Sequence, residues 1–219
     1  MSLSGTGMLC VWTDIRSAHE AEFNDWYNRE HLAERVAIPG FTRARRYVLA
    51  APQPGTSKYL ALYETDNVGV LGSPDYHAML KKQTEWSRLI MGRFVDPSRS
   101  CAHVAFSRGA GMAGALAVLR FDAPVTADGP ADSTIAALSS ALVEALARPG
   151  VTAAHLLVTD AAISAVGALG KSAPGPCDTI VLIEAGTPAD ARSALAVLAV
   201  AARLPGVPAP YRLVLAVSR

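Results

Sequence analysis

The sequence predicts an α+β protein in which two βαββαβ units follow one another and pack sheet to sheet. Apolar strand-like stretches and helical stretches come in the order strand, helix, strand, strand, helix, strand, and that order occurs twice. The two copies keep a nearly constant offset of about 110 residues, with small insertions only. We expect the first unit to cover 7–108, the second to cover 114–219, and a short linker to join them.

Each unit opens with a strand and a helix. The first strands are expected at 7–14 and 114–121, where short apolar stretches have strand character. Helices are expected at about 18–37 and 133–148. They are followed by Pro39-Gly40 and Pro149-Gly150, and these residue types just past a helix are stop signals.

The second halves of the two units also match each other in the order of their strands and helices. Further strands are expected at 42–49 and 58–64 in the first unit, and at 152–159 and 178–184 in the second. The second helices open with Ser73-Pro74 and Thr187-Pro188, an N-cap followed by proline at the first helical position. A four-stranded sheet covered by two helices leaves one face bare, and two such faces on one chain can bury each other.

Composition excludes several functions. Hydrophobic residues make up 51% and charged residues 18%, and the net charge of +1 gives no field that would attract nucleic acid or an anionic membrane. No apolar run is long enough for a membrane helix and no signal peptide is recognisable, so we expect a cytoplasmic protein with 1–5 as a flexible leader and Met8 as a plausible natural start. Cys10, Cys101 and Cys177 stand singly and are expected to be buried small hydrophobes.

Polar chemistry is concentrated in the first unit. Its residues include 12 of the 14 aromatic side chains and four of the five histidines. On its first helix Phe23, Tyr27 and His31 recur at every fourth position, which places them on one face, bordered by Glu30 and Glu34. A histidine beside carboxylates can titrate near neutrality, as a general base requires. The corresponding helix of the second unit is mostly Ala, Leu and Val, which indicates a scaffold.

Three motifs of the first unit stand close together, WYNREHL at 26–32, IPGF at 38–41 and ARRY at 44–47. Together they resemble the EthD-like branch of the dimeric α/β-barrel superfamily, over about residues 8–108, with the second unit a degenerate copy. The resemblance implies two ferredoxin-like units that associate through their sheets. Here one chain would supply both units as an internal pseudo-dimer, and further pairing of two such chains stays open.

The same resemblance implies a ligand cleft between the sheet and the helices of the first unit. His31, Tyr27 and Glu30 would be its catalytic residues, and the substrate would contact residues of the strands, namely Trp12, Arg45, Tyr47, Tyr63 and His103. The expected activity is a cofactor-independent isomerase, cyclase or monooxygenase reaction on a small hydrophobic, cyclic or aromatic molecule. No metal and no cofactor are expected, and no nucleotide-binding, nucleophile-elbow or zinc motif is present.

Each of these site residues also has a structural interpretation. His31 could instead hold the Pro39-Gly40 turn at the helix surface, and Trp26-Tyr27 could be core packing. Tyr59 and Tyr63, which share a strand face, could fill the core between the sheets together with Trp12.

The charged residues and the activity also allow a second interpretation. Arg45-Arg46 is expected to have one solvated member and one packed through its stem, while Glu64 and Glu184 occur in both units and suggest a shared structural role. The first unit could also bind a ligand without chemistry, or handle haem.

Overall fold

The computed structural model describes residues 3–122, 125–126, 129–130, 132–165 and 178–219. Eight long strands form the main sheet: β1 (Gly7–Ile15), β2 (Phe41–Leu49), β3 (Tyr59–Thr65), β4 (Phe94–Gly109), β5 (Ala115–Asp122), β8 (Val151–Thr159), β9 (Asp178–Ala185) and β10 (Ala209–Ser218). Two short strands, β6 (Val125–Thr126) and β7 (Gly129–Pro130), pair with each other. Cys177 lies outside the described residues.

The helices lie between the strands. The first unit has α1 (Glu20–Trp26), a π-helical turn (Tyr27–His31), α2 (Leu32–Val36), α3 (Pro74–Lys81) and α4 (Glu85–Met91), and the second has α5 (Asp132–Leu146), α6 (Ala161–Ala165) and α7 (Pro188–Ala201). The predicted proline-containing starts are confirmed, because Ser73 accepts a hydrogen bond from the amide of Tyr76 and Thr187 accepts one from the amide of Asp190. None of the described helices is long and apolar enough to cross a membrane.

The sheets of both units close into one barrel. The first unit has strand order β4-β1-β3-β2 and the second has β10-β5-β9-β8, all antiparallel. Their edges also pair, β2 with β10 and β4 with β8, so the eight strands form a closed ring. The α+β fold class and the sheet-to-sheet association are therefore confirmed. Closure is possible because β4 and β10 are each long enough to pair within their own sheet and across to the other.

The bare sheet faces enclose a packed barrel interior. Buried apolar side chains alternate with outward ones along every strand and include Met8, Cys10, Leu62, Leu182 and Tyr211. Outside the barrel, the helices of each unit cover the opposite face of their own sheet through two separate apolar clusters. The second unit's cluster contains only apolar buried side chains, most of them Ala, Leu, Val and Ile.

Charged side chains pair inside the barrel. Arg45 donates to Glu184 at 2.6 Å and lies 3.2 Å from Glu64, while His155 lies 3.3 Å from the same Glu184 oxygen. The two glutamates play matching roles, since the amide of Ser4 donates to Glu64 at 2.8 Å and that of Ala113 donates to Glu184 at 3.0 Å. Each thereby fixes the segment that enters the first strand of its unit, which confirms the shared structural role predicted for them.

The N-terminal segment differs from the flexible leader that was predicted. Leu3 is 5% exposed and belongs to the barrel-interior cluster. Gly5 and Gly7 lie so close to the end of β3 that a Cβ on Gly5 would approach the carbonyl oxygen of Thr65 to 2.1 Å. The described part of this segment is thus packed, because it covers apolar side chains at the mouth of the barrel. Residues 1–2 lie outside the described part.

Candidate active site

A π-helical turn carries the central motif. A continuous helix was predicted over about 18–37, but α1 gives way to the π-helical turn at Tyr27, and the amide of Leu32 donates to the carbonyl of Tyr27, five residues back. In a regular α-helix, residues five apart point about 140° away from each other. The wider turn brings Trp26 and His31 together instead, with ring centroids 4.1 Å apart and planes at 28°. Such turns are frequent at functional sites.

His31 is buried between this helix and the outer face of the first unit's sheet. It is 6% exposed. Trp26 stacks on one face of its ring, while the edges meet Tyr27 at 5.1 Å and Tyr63 at 6.2 Å between centroids. Its Nδ1 is buried and has no hydrogen-bond partner in the described part of the chain. The alternative of a surface or capping histidine does not fit this position.

The surroundings keep the imidazole neutral. Burial lowers the pKa of His31 well below its usual value, and the positive charges of Arg35 and Arg46 lower it further. No carboxylate contributes to this shift. Titration near neutrality beside a carboxylate, as predicted, therefore does not fit this environment. The neutral imidazole has a free nitrogen that can accept a proton, but its lowered pKa makes it a weaker base than a free histidine.

Arg46 lies in an aromatic cage under the helix. Its guanidinium carbon is 4.5 to 4.9 Å from the ring centroids of Phe23, Tyr27 and Tyr59. Asn24 accepts a hydrogen bond from its Nη2 at 2.6 Å. Arg45 and Arg46 are 0% and 1% exposed, so the prediction that one of them is solvated is wrong. They occupy opposite faces of β2, and neither face is open to water.

Two buried tyrosines lie beside His31. Burial raises the pKa of Tyr27 despite the nearby charge of Arg46, and burial together with the neighbouring Tyr27 raises the pKa of Tyr63 well above its usual range. Both phenols therefore stay protonated near neutral pH and are hydrogen-bond donors. Tyr59 and Tyr63 lie on the helix side of the sheet. The interpretation that placed side chains between the sheets is therefore wrong for these two tyrosines and confirmed for Trp12.

Glu30 does not contact His31. Its Oε1 accepts hydrogen bonds from Thr84 at 2.6 Å and from Ser87 at 3.0 Å, while Ser87 accepts from the indole of Trp26 at 3.0 Å. Glu30 is thus linked to His31 only indirectly, through Ser87 and the Trp26 ring that stacks on the imidazole. This geometry suits a residue that positions Trp26 and not one that accepts a proton from the substrate.

Four other predicted site residues lie elsewhere. Trp12 and Tyr47 belong to the barrel-interior cluster and Arg45 pairs with Glu184 there, whereas Tyr63 lies on the helix side of the sheet. His103 has a side chain that is 57% exposed and faces Asp160 at 3.5 Å. The structure therefore brings together His31, Tyr27 and Tyr63 and leaves these four outside that group.

Sequence reasoning missed three members of the site. Arg46 was noticed only as part of the Arg45-Arg46 pair, and Arg35 and the stacked Trp26 were not assigned. Side chains alternate along β2, so Arg46 lies on the same face as Ala44, which is buried on the helix side. This alternation was the available signal. No sequence pattern predicts the π-helical turn.

Neither buried histidine is placed to bind a haem. An axial histidine ligand needs a ring nitrogen that can face the iron, and cysteine, methionine or tyrosine can also be axial ligands. His31 is enclosed by aromatic rings and its Nδ1 is buried, whereas both ring nitrogens of His155 are engaged, with Ser107 and Glu184. No cluster of His, Cys, Asp or Glu within the described ranges could hold a metal ion.

A surface cleft of about 440 Å³ lies apart from the predicted residues. It is lined by both ends of the chain and the ends of β2 and β3, through Ser4, Gly40, Phe41, Thr42, Asp66, Ser218 and Arg219. None of the residues predicted for the active site lines it.

Comparison with known proteins identifies the fold. No family model and no curated protein matches the chain. Among solved structures, it is similar to an anthrone oxidase-like protein at 13% identity, with a TM-score of 0.64 over 100% of this chain and 95% of that one. It is also similar to a mutant chlorite dismutase from Candidatus Nitrospira defluvii (10%, TM-score 0.58, 97% and 92% covered) and to a haem-binding protein from Thermus thermophilus (11%, 0.55, 98% and 93%). The chain thus has the dimeric α/β-barrel fold, built here from one polypeptide.

Proposed function

We propose that this protein is an EthD-like, cofactor-independent enzyme that moves a proton at a carbon conjugated with the carbonyl group of a small cyclic or aromatic molecule. The observation that supports this most is the buried His31, whose Nδ1 has no partner among the residues described and which is stacked on Trp26 beside Tyr27 and Tyr63. The aromatic walls around it suit a flat apolar substrate.

The proposed step needs only groups of this chain. A carbon-bound proton would pass to the neutral imidazole of His31, and the electron pair of the broken C–H bond would move onto the carbonyl oxygen. The guanidinium group of Arg46 and the protonated phenol of Tyr63 are the groups available to stabilise that oxygen as it becomes negative. Return of the proton to another carbon would complete an isomerisation, so no oxidant is required.

Entry of a substrate requires local opening. His31 is 6% exposed and Trp26 is fully buried. A substrate would reach them only when the first helix separates locally from the sheet or from α4, which bonds to Trp26 through Ser87. The main alternative is a protein that takes up the same small molecule without chemistry.

Hydrogen exchange separates the two functions. Anthrone has an acidic methylene group in conjugation with its carbonyl, and its exchange in D2O under argon is followed by the loss of the methylene proton signal. We expect the protein to accelerate this exchange above the buffer rate, and His31→Gln to reduce the acceleration by about 100-fold or more. His19→Gln, at the start of the same helix, is the matched control and should exchange like the unmodified protein.

The outcomes differ clearly. If the protein binds anthrone but leaves its exchange at the buffer rate, it is a binding protein and the enzymatic proposal fails. If His31→Gln exchanges anthrone as fast as the unmodified protein, the catalysis belongs to another residue.

A further inference from the structure

Two arginines beside His31 are buried and have no carboxylate in direct contact within the part of the chain that the structure describes. Glu20 acts on Arg46 and Glu34 acts on Arg35 only from beyond salt-bridge distance. Arg46 is 1% exposed and Arg35 is 5% exposed. Neither forms a salt bridge within the described ranges, where the donors Nε and Nη1 of Arg46 and Nη1 of Arg35 also lack a hydrogen-bond partner. Removing a cation from water without pairing it destabilises a protein. Two such cations in one small region therefore indicate a function other than stabilising the fold.

The barrel interior shows how this protein treats arginines that have only a structural role. Arg45, 0% exposed, donates to Glu184 at 2.6 Å, and Arg120 lies 2.6 Å from Asp178. Each of these two guanidinium groups faces a carboxylate of the chain. On the helix side the nearest acceptor of Arg46 is the neutral amide of Asn24, at 2.6 Å.

The aromatic cage does not replace the missing anion. The rings of Phe23, Tyr27 and Tyr59 cover Arg46 at 4.5 to 4.9 Å and contribute cation–π attraction. They offer no acceptor in the plane of the guanidinium group, where Nε and Nη1 donate. A carboxylate fits such a planar fork with two parallel hydrogen bonds.

We infer that the site takes a small aromatic anion, a carboxylate, whose oxygens accept hydrogen bonds from Arg46 and Arg35 while its ring lies among Trp26, Tyr27 and Tyr63. This inference deepens the proposed function and rests on the same site, because it names the substrate class that His31 would meet. The anion supplies the acceptors that the described residues lack there. It also brings a negative charge into direct contact with two cations that Glu20 and Glu34 reach only from a distance.

Calorimetry with a matched pair of probes tests the inference on the full chain. The probes 2-naphthoate and 2-naphthamide have nearly the same shape and differ in charge. We expect the carboxylate to bind at least about 10-fold more tightly than the amide, since hydrogen bonds to charged groups are the stronger ones. Arg46→Gln and Arg35→Gln should each remove most of this preference. Arg29→Gln, on the same helix with a 73% exposed side chain, should retain it.

Thermal unfolding of the same variants shows whether they are folded. If the arginines bind an anion, Arg46→Gln and Arg35→Gln melt at or above the temperature of the unmodified protein. We expect 2-naphthoate to raise the melting temperature of the unmodified protein and of Arg29→Gln, but not that of Arg46→Gln or Arg35→Gln. Equal affinity for both probes, or binding of neither, overturns the inference. Because anthrone is neutral, the exchange experiment with it can fail or succeed separately, so failure of the proposed proton transfer is told apart from failure of the anion site.

Discussion

Removing the charge of Glu184 would test the ion pairs inside the barrel. Glu184 is 0% exposed and accepts from Arg45 at 2.6 Å, with His155 at 3.3 Å. Glu184→Gln keeps the size of the side chain and removes its charge. Arg45 then keeps only the weaker contact with Glu64, at 3.2 Å, in a place that water does not reach.

The pKa of Glu184 gives the magnitude. Burial alone would raise it, but the hydrogen bond from His155 and the charge of Arg45 lower it from 4.5 to about 2. At 1.36 kcal/mol per pH unit, this difference corresponds to about 3 kcal/mol of folding free energy. Because the pKa is lower in the folded chain, this contribution is complete above about pH 4.5 and is lost as the pH falls toward 2.

Urea denaturation of both proteins at several pH values measures the effect. We expect Glu184→Gln to lower the free energy of unfolding by about 3 kcal/mol at pH 7 and the gap to shrink as the pH falls toward 2. The exposed Glu144→Gln is the control, with an expected change within about 0.5 kcal/mol. A gap that is the same at pH 7 and pH 2.5, or that is below about 1 kcal/mol at pH 7, would refute this account of the barrel interior.

Two further changes test the packing around the barrel and the site. Leu3→Ala should lower the free energy of unfolding by about 2 to 3 kcal/mol in urea denaturation, since it opens a cavity among buried side chains; no change would mean that the N-terminal segment is not packed in solution. Glu30→Ala should cost about 1 to 3 kcal/mol, because it removes the acceptor of Thr84 and Ser87, and should alter the near-UV circular dichroism of Trp26. An unchanged Trp26 signal would contradict its positioning role.

Much of the fold could be predicted from the sequence. Strand and helix order, the proline-containing starts at Ser73-Pro74 and Thr187-Pro188, and the helix stops at Pro39-Gly40 and Pro149-Gly150 are local signals that the structure follows. Closure of the barrel through the edges of β2, β4, β8 and β10 is not a local signal, because it depends on strands of one unit reaching strands of the other.

The site was predicted less completely. The residues at every fourth position, Tyr27 and His31, could be found because helical spacing defines a face. Trp26 could not be placed on His31, since that contact depends on a π-helical turn with no sequence signature. Trp12 and Tyr47 were assigned to the wrong side of the sheet relative to His31, because apolar residues occupy both faces of these buried strands and alternation alone does not say which face is which.

The most direct test of the account is a nuclear magnetic resonance titration of the His31 ring in protein labelled at histidine, with His31→Gln used for assignment. We expect a protonation midpoint for His31 well below 6.5, because burial and the charges of Arg35 and Arg46 lower the pKa of the imidazole. Protonation of His31 with a midpoint at or above about 6.5, the value of a free histidine, would contradict the proposal of a neutral buried base.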